Sequence, residues 1–451
     1  MKKFLFLITI IFILGCSENK TQDTEPEDKE PCSNITCSEN ANCEVINDEA
    51  ICKCKDNYYG ENCSECIEGY EFYGKECLSS PKIYKWGMEI ATNQGQSLAI
   101  SETKDIYITG LSDGDAFLSG FNITNGINWT KRWGEASSYK RGSSLAIKGN
   151  NIYITGIIRK KSDENFNFFL AKLDKNGNLL WEKEFDNSNS QANSLIIDNS
   201  ENIYVTGSIQ DTNNTTIVNI FLTKFNSEGE ILWSEQWGSN QNDYGTALAI
   251  DSNNDVYLTG YTEGELSEAT NAGGRDIFLI KFNSNGNKLW TKQFGFLNDD
   301  LSNSMAIDSN DNIYISGFKN HDVDDQDYIS GEAFLTKFNS NGVEIWNKKL
   351  NSSLFDSGTS LVVDEENIYM LGTTFGSLDS NITLGESDIF LSKYNIDGQK
   401  AWTKQFGSQY SDFGSSLAID SYKNIWITGS MNLDNEENSS HSDIVLYKIK
   451  Q

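Results

Sequence analysis

The chain has 451 residues and a formal net charge of -29, from 65 Asp and Glu against 36 Lys and Arg. Such a surface repels phosphate backbones and anionic lipid headgroups, which argues against nucleic acid as a partner and suits cationic ligands better. All nine Cys lie in the first 77 residues and only two His occur, His321 and His441, so the long remainder offers no Cys nucleophile and little on which to build a His-based triad.

At the N-terminus, Lys2 and Lys3 precede a near-apolar run from Phe4 to Leu14 that only Thr9 interrupts. As a helix this run rises roughly 16 Å, about half of a ~30 Å hydrocarbon core, which fits a signal-peptide core and is too short to span a membrane. It ends in Ile13-Leu14-Gly15-Cys16, which resembles the bacterial lipobox. The resemblance implies a signal peptide over 1–15, cleavage behind Gly15, and a diacylated Cys16 as the mature N-terminus. The membrane is then reached through the lipid anchor only. With Ser17 following Cys16, the same resemblance implies the outer membrane or cell surface. Residues 16–31 are read as the lipidated Cys and an acidic tether, since 17–31 carry no large apolar side chain.

Residues 32–78 hold the other eight cysteines, an even number in a short exported stretch, as a disulfide framework requires. Spacing alone leaves their connectivity open. The order Cys32, Cys37, Cys43, Cys52, Cys54, Cys63, with Tyr58-Tyr59-Gly60 before the last, resembles an EGF-like module. The resemblance implies the pairs Cys32–Cys43, Cys37–Cys52 and Cys54–Cys63. Cys66 and Cys77 repeat the final loop and imply a fourth bridge, as in the laminin-type variant. Zinc is disfavoured, because the segment has no His and the compartment is oxidising. Calcium is not expected in this module, because Val45 and Ala50 stand where calcium-binding members carry Asp or Asn and an aromatic residue.

Residues 82–451 form a repeat array. One unit reads Gly245-Thr-Ala-Leu-Ala-Ile-Asp251, Asp255-Val-Tyr-Leu-Thr-Gly260, Asp276-Ile-Phe-Leu-Ile-Lys281 and Leu289-Trp290-Thr-Lys-Gln-Phe-Gly295. The Gly of Tyr-x-Thr-Gly recurs at 110, 156, 207, 260, 317, 372 and 429, and a Trp at 129, 181, 233, 290, 346 and 402. Each unit holds four short alternating runs between Asn/Gly/Asp turns, which predicts four strands. Radial repetition of such units is the propeller pattern. The seventh unit stops at Asp443-Ile-Val-Leu-Tyr-Lys448 without its last strand, while Ile83-Tyr84-Lys85-Trp86-Gly87 matches that strand at the other end. The fold class is therefore all-β: a seven-bladed β-propeller closed by an N-terminal strand and preceded by a small disulfide-rich module. The unit is similar to the bacterial β-propeller repeat family called SBBP, which implies the fold and says little about function.

Strands of a unit are labelled A to D from the axis outward. Antiparallel order then places the B–C and D–A connections on one face, here the loop face, and the A–B and C–D connections on the other, the turn face. Length varies mainly in the B–C connections, so the loop face is the candidate binding face. Its candidate residues are Glu263, Glu265, Asp322, Asp324 and Asp325, with Asp243, Asp300, Asp356 and Asp412 leading into inner strands. Those last four have two readings: a carboxylate ring at the channel mouth able to hold a cation such as calcium, or caps on the turns that contain them. The repetition of the position favours caps. A second series, Asp198, Asp251, Asp308, Asp364 and Asp420, is read as turn chemistry on the other face.

No catalytic residue, metal site or cofactor is expected. The reading is a monomeric, lipid-anchored envelope protein that presents a propeller face to a protein or glycan. The alternatives are an envelope-assembly scaffold in the periplasm and a carboxylate-dependent glycan-active enzyme.

Overall fold

A computed structural model describes short stretches of 37–79, the strand Lys82–Trp86, and most of 93–450; 1–36, 87–92, 123–125, 135–137, 161–164, 186–188, 212–213, 215, 267–269, 321–330, 432–442 and 451 lie outside the described residues. The chain divides into two compact units between Ile67 and Glu68. Cys16, Asp322, Asp324 and Asp325 fall outside the described residues.

In the first unit the hairpin Ala41–Ile46 with Glu49–Cys54 is followed by the two-residue strands Tyr58–Tyr59 and Glu65–Cys66. Disulfides join Cys37 to Cys52 and Cys54 to Cys63, two of the pairs that the EGF-like resemblance implies. Cys43 is disulfide-bonded as well. Cys32 and the side chains of Cys66 and Cys77 lie outside the described residues.

The second unit begins with the hairpin Tyr70–Tyr73 and Glu76–Ser79. Seven four-stranded antiparallel sheets follow, each in the order A-B-C-D. Blades 1 to 6 span 93–133, 138–185, 190–237, 243–294, 300–350 and 356–406. Blade 7 takes three strands from 413–449, and Lys82–Trp86 supplies the fourth, with Ile444 opposite Trp86 and Lys448 opposite Lys82. The displaced closing strand thus lies where the repeat pattern puts it, and the A strands adjoin all the way round the ring.

There is no single core. Seven apolar clusters occupy the seven joints between blades, from Leu145, Ile154 and Phe169 with Tyr107 and Leu118 at joint 1/2, to Leu98 and Phe117 with Trp426 and Ile444 at joint 7/1. Strands B and C are buried on both sides, which is why they read as continuous apolar runs. Strand D keeps charged residues on its outer edge, as in Trp290-Thr-Lys-Gln, a device that discourages edge-to-edge pairing.

Strand A carries a β-bulge in every blade, at Gly245/Ala247 in blade 4. The bulge brings its backbone so close to strand B that a Cβ on Gly260 would sit 1.9 Å from the Tyr244 carbonyl oxygen, and the six equivalent glycines are comparably hemmed in. That approach explains the invariant Gly of the repeat. The repeating Trp has a different task. Trp129, Trp181, Trp233, Trp290 and Trp346 each lie against the C–D turn glycine of the next blade (177, 229, 286, 342 and 398), where φ is near +70 to +86° and a Cβ would strike the indole.

The inner edge of strand A presents N–H groups that no further strand pairs. A ring of serines meets them: Ser97, Ser144, Ser194, Ser304, Ser360 and Ser416 each accept the N–H of Leu145, Leu195, Leu248, Leu361, Leu417 and Leu98 in the following blade, at 3.0–3.3 Å. The last of these links blade 7 to blade 1. At joint 4/5 the position is Ala247, and Ser302 takes over, accepting from Thr259 Oγ1 at 3.0 Å and donating to the Gly260 carbonyl at 2.9 Å.

On the turn face, Asp251 Oδ1 accepts the N–H groups of Asn253 and Asp255, both at 2.9 Å, while Oδ2 accepts from Tyr257 Oη and Lys281 Nζ. Asp198, Asp308, Asp364 and Asp420 cap their turns in the same way. This is the turn chemistry that the repeat suggests.

Candidate binding face

In blade 4 the loop face is set by one line across the sheet, Asp243 opposite Thr262 opposite Asp276. Above it lie the D–A turns and the B–C loops. The B–C loops of blades 4 and 6 are built alike. Leu266 and Leu378 are buried as plugs, and their N–H groups donate to Gln293 Oε1 and Gln405 Oε1 at 2.8 and 3.1 Å. Each glutamine amide in turn donates to the carbonyl of Gly264 or Gly376, and to Asp276 or Asp388. The two carboxylates also accept Ala272 N–H and Leu384 N–H at 2.8 Å, which closes the loops. Sequence reasoning missed these residues. Their signal is the co-occurrence of Thr-x-Gly-x-Leu at 262–266 and 374–378 with Lys-Gln-Phe-Gly at 292–295 and 404–407.

The four aspartates offered as a channel-mouth ring do not form one. Asp243, Asp300, Asp356 and Asp412 are fully buried. Each accepts a backbone N–H from four residues earlier in its own turn: Ser239 at 2.6 Å, Phe296 and Ser352 at 2.5 Å, and Ser408. They cap D–A turns and are not presented to a ligand. The physical reason is that these turns leave backbone donors buried at the blade joints, and a carboxylate is the acceptor that meets them. Blades 1 to 3 carry Asn93, Lys140 and Ser190 at the same place, all buried.

Burial pushes the Asp243 and Asp356 carboxyls up, against hydroxyl donors at Thr262 and Thr374 that favour the charged form. Asp300 lacks both hydroxyl donors, because Phe296 and Lys319 stand where blades 4 and 6 carry Ser and Thr. Burial takes it to about 6. Burial also lowers Lys319, which lies over Phe334 at 4.7 Å and Phe296 at 5.2 Å.

What the loop face does expose differs from blade to blade. Glu265 is exposed, and Glu263 is half-buried, accepting from Asn242 at 2.8 Å and Arg275 Nε at 3.2 Å. Arg275 also faces Asp299 and lies over Tyr261, which stacks on Tyr244 at 4.8 Å. At joint 5/6, Phe355 meets Phe318 at 5.0 Å and Phe375 at 6.0 Å. Large apolar side chains stand open to solvent at Phe296, Leu297, Leu354, Phe375, Leu384 and Phe413, and at Ile382, where the blade 6 loop runs down the outer strand, Asn381 donating to the Thr403 carbonyl and Lys400 pairing with Asp379. All seven belong to blades 4 to 7 or the joints between them. The exposed aliphatics elsewhere, such as Leu180, Leu232, Leu289 and Ile345, precede the repeating Trp in successive blades and follow the repeat. Among the described residues, no group of three or more His, Cys, Asp or Glu is placed to hold a metal ion.

Comparison with known proteins agrees with this architecture. An uncharacterized WD repeat-containing protein of Acanthamoeba polyphaga mimivirus is 25% identical, the match covering 58% of this chain and 26% of that protein. Regulatory protein FlaEY of Caulobacter vibrioides is 27% identical over 31% of this chain and 17% of its own. The chain thus spans about a quarter or less of these curated relatives. Among solved structures, a catalytically inactive virginiamycin B lyase from Staphylococcus aureus, with quinupristin, has a TM-score of 0.51 at 10% identity, covering 82% of this chain and all of that one. An ulvan lyase of polysaccharide lyase family PL25 has a TM-score of 0.51 at 12% identity, covering 78% and 91%. At such identities the likeness concerns the fold alone. The model of the beta-propeller repeat SBBP matches residues 232–266, 289–317 and 401–432, each running from a D strand through the A and B strands of the next blade, so three stretches of this seven-bladed propeller are similar to the SBBP repeat.

Proposed function

We propose that this chain is an envelope-displayed binding module, held by a lipid on Cys16 and an EGF-like spacer, which offers the loop face of blades 4 to 7 to a macromolecular ligand. The observation that carries the reading is the contrast between the two faces. The turn face repeats from blade to blade, whereas the loop face exposes apolar side chains that no repeat explains, on connections pinned by Gln293, Gln405 and buried Asp. Rigid presentation lowers the ordering cost of binding. The similarity to a WD repeat-containing protein supports a role as an interaction scaffold, and the Ile13–Cys16 motif supports the anchor.

The test has two arms. Cells expressing the chain are labelled with palmitate, and the label is expected to vanish in Cys16→Ala. The purified full chain is then offered to protein and glycan arrays, with Leu297→Ser and Leu384→Ser expected to weaken any hit and Leu180→Ser on the repeat-bearing side to spare it. A hit weakened only by Leu180→Ser would overturn the choice of face.

A further inference from the structure

We propose a second binding site, for a saccharide that carries a single carboxylate, at the inner rim of blades 1 to 3, with Arg141 as the partner of the anion. It is separate from the surface of blades 4 to 7 and does not depend on it. On each strand A the residue just before the β-bulge lies at the loop-face end of the inner edge. Blades 1, 2 and 3 carry Gln94, Arg141 and Gln191 there, opposite Leu111, Ile157 and Ser208 of their B strands. Their shared register and the adjoining A strands set the three side by side. From this level to the turn face, the seven inner strands hold one other charged side chain, Lys148 at the far end of blade 2. The caps on this arc are Asn93, Lys140 and Ser190 in place of Asp, and Lys140 is held by Glu182 at 2.5 Å. In a chain of net charge -29, the inner strands of this arc thus offer a free cation at the rim and no carboxylate.

Arg141 makes no hydrogen bond or ion pair among the described residues, and its Nε is buried without an acceptor. Two residues on, Ser143 Oγ is buried and unpartnered as well. Gly142 between them faces Thr109 of blade 1, so its two neighbours face blade 3. Elsewhere the equivalents of Ser143 bond to the next blade, Asn193 to the Gly245 carbonyl at 2.8 Å and Thr359 to that of Gly414 at 2.6 Å. Joint 2/3 therefore holds bonding capacity at its inner end that the chain itself does not use, and unmet buried polar groups are costly enough to be rare. A guanidinium fork matches a carboxylate. One cation suits one negative charge. Repulsion from the rest of the chain is screened beyond about 8 Å at physiological salt, so a single charge on Arg141 is governed by the local contact, whereas a polyanion would bring more charge against an acidic surface. The surrounding groups, Gln94, Gln96, Gln191 and Asn193, are amides that suit sugar hydroxyls. A peptide ligand would want apolar anchors, and on the loop face those stand in blades 4 to 7.

The experiment titrates the purified full chain with methyl β-glucuronide, the neutral methyl β-glucoside and a short Glu-bearing peptide, read by saturation-transfer NMR and calorimetry. The glucuronide is expected to bind, and the glucoside to bind about tenfold or more weakly. Arg141→Gln should bring the glucuronide down to the level of the glucoside. Arg141→Lys keeps the stem and the charge but loses the fork, so it should fall between the parent and Arg141→Gln. Leu297→Ser should leave the glucuronide affinity unchanged. Urea midpoints are measured for each variant, and that of Arg141→Lys should match the parent's, since no bond within the chain is lost. Equal binding of the two glycosides, no binding of either, or Arg141→Lys no better than Arg141→Gln would overturn the site. Binding of the Glu peptide alone would overturn the saccharide. Glucuronide binding lost in Leu297→Ser and kept in Arg141→Gln would overturn this inference and leave the face of blades 4 to 7 standing.

Discussion

Ser194→Ala tests whether the hydroxyl ring ties the blades together. The substitution removes the group that accepts Leu248 N–H at 3.3 Å, on an inner strand edge where Leu248 is only 5% exposed. Leaving a buried amide unsatisfied costs roughly 1–3 kcal/mol, and a partly buried bond of this length belongs near the lower end, about 1–1.5 kcal/mol. The converse substitution, Ala247→Ser, restores the ring position at joint 4/5 and should stabilise by about 0.5–1 kcal/mol. Ser416→Ala removes the equivalent tie between blades 7 and 1 and should cost as much as Ser194→Ala, because a closed ring has no privileged joint. The assay is urea unfolding followed by Trp fluorescence, since all ten Trp lie within 82–451 and report the propeller alone. Ser194 and Ser416 share no bonding partner, so the double variant should equal the sum of the singles within about 0.5 kcal/mol. If Ser194→Ala and Ser416→Ala unfold at the parent's midpoint, the hydroxyls are incidental and the blades are held by their apolar clusters alone.

Other outcomes follow from the same geometry. Gly260→Ala places a Cβ 1.9 Å from the Tyr244 carbonyl oxygen and should cost about 3 kcal/mol or more, whereas Gly149→Ala meets open space and should cost only the left-handed backbone term, about 1–2 kcal/mol; thermal unfolding of the two variants separates steric from backbone cost. Asp300 is protonated more readily folded than unfolded, so its stabilising contribution is fully present below about pH 4 and is lost as pH rises through 6. The change from 3.8 to about 6 corresponds to about 3 kcal/mol. Urea midpoints between these values should therefore fall with rising pH more steeply in the parent than in Asp300→Asn, and equal slopes would contradict the buried carboxyl. Reduction with dithiothreitol should leave the Trp-reported unfolding midpoint unchanged, since every Cys precedes residue 78; a shift would mean that the disulfide-bonded segment supports the propeller.

The blade count, the strand order and the closing strand were all legible in the chain, because each unit carries the same local instructions and the missing Trp strand of blade 7 is printed at residues 83–87. The turn-face aspartates were legible for a similar reason, since an Asx turn is a contact within five residues, as from Asp251 to Asp255. The disulfides Cys37–Cys52 and Cys54–Cys63 followed from a resemblance and not from spacing. Exposure was what the chain could not convey. Asp243, Asp300, Asp356 and Asp412 look like Glu265 in composition; their bonds to the turn four residues earlier are as local as those of Asp251, and it is their complete burial that only the fold sets. The same holds for Gln293 and Asp276, whose meeting with the loop that carries Leu266 depends on three strands lying side by side. Local hydrogen bonding sets the repeat, and the sequence by itself carries it; which side chains of the loop face reach solvent depends on packing between successive blades, and only the tertiary structure decides that.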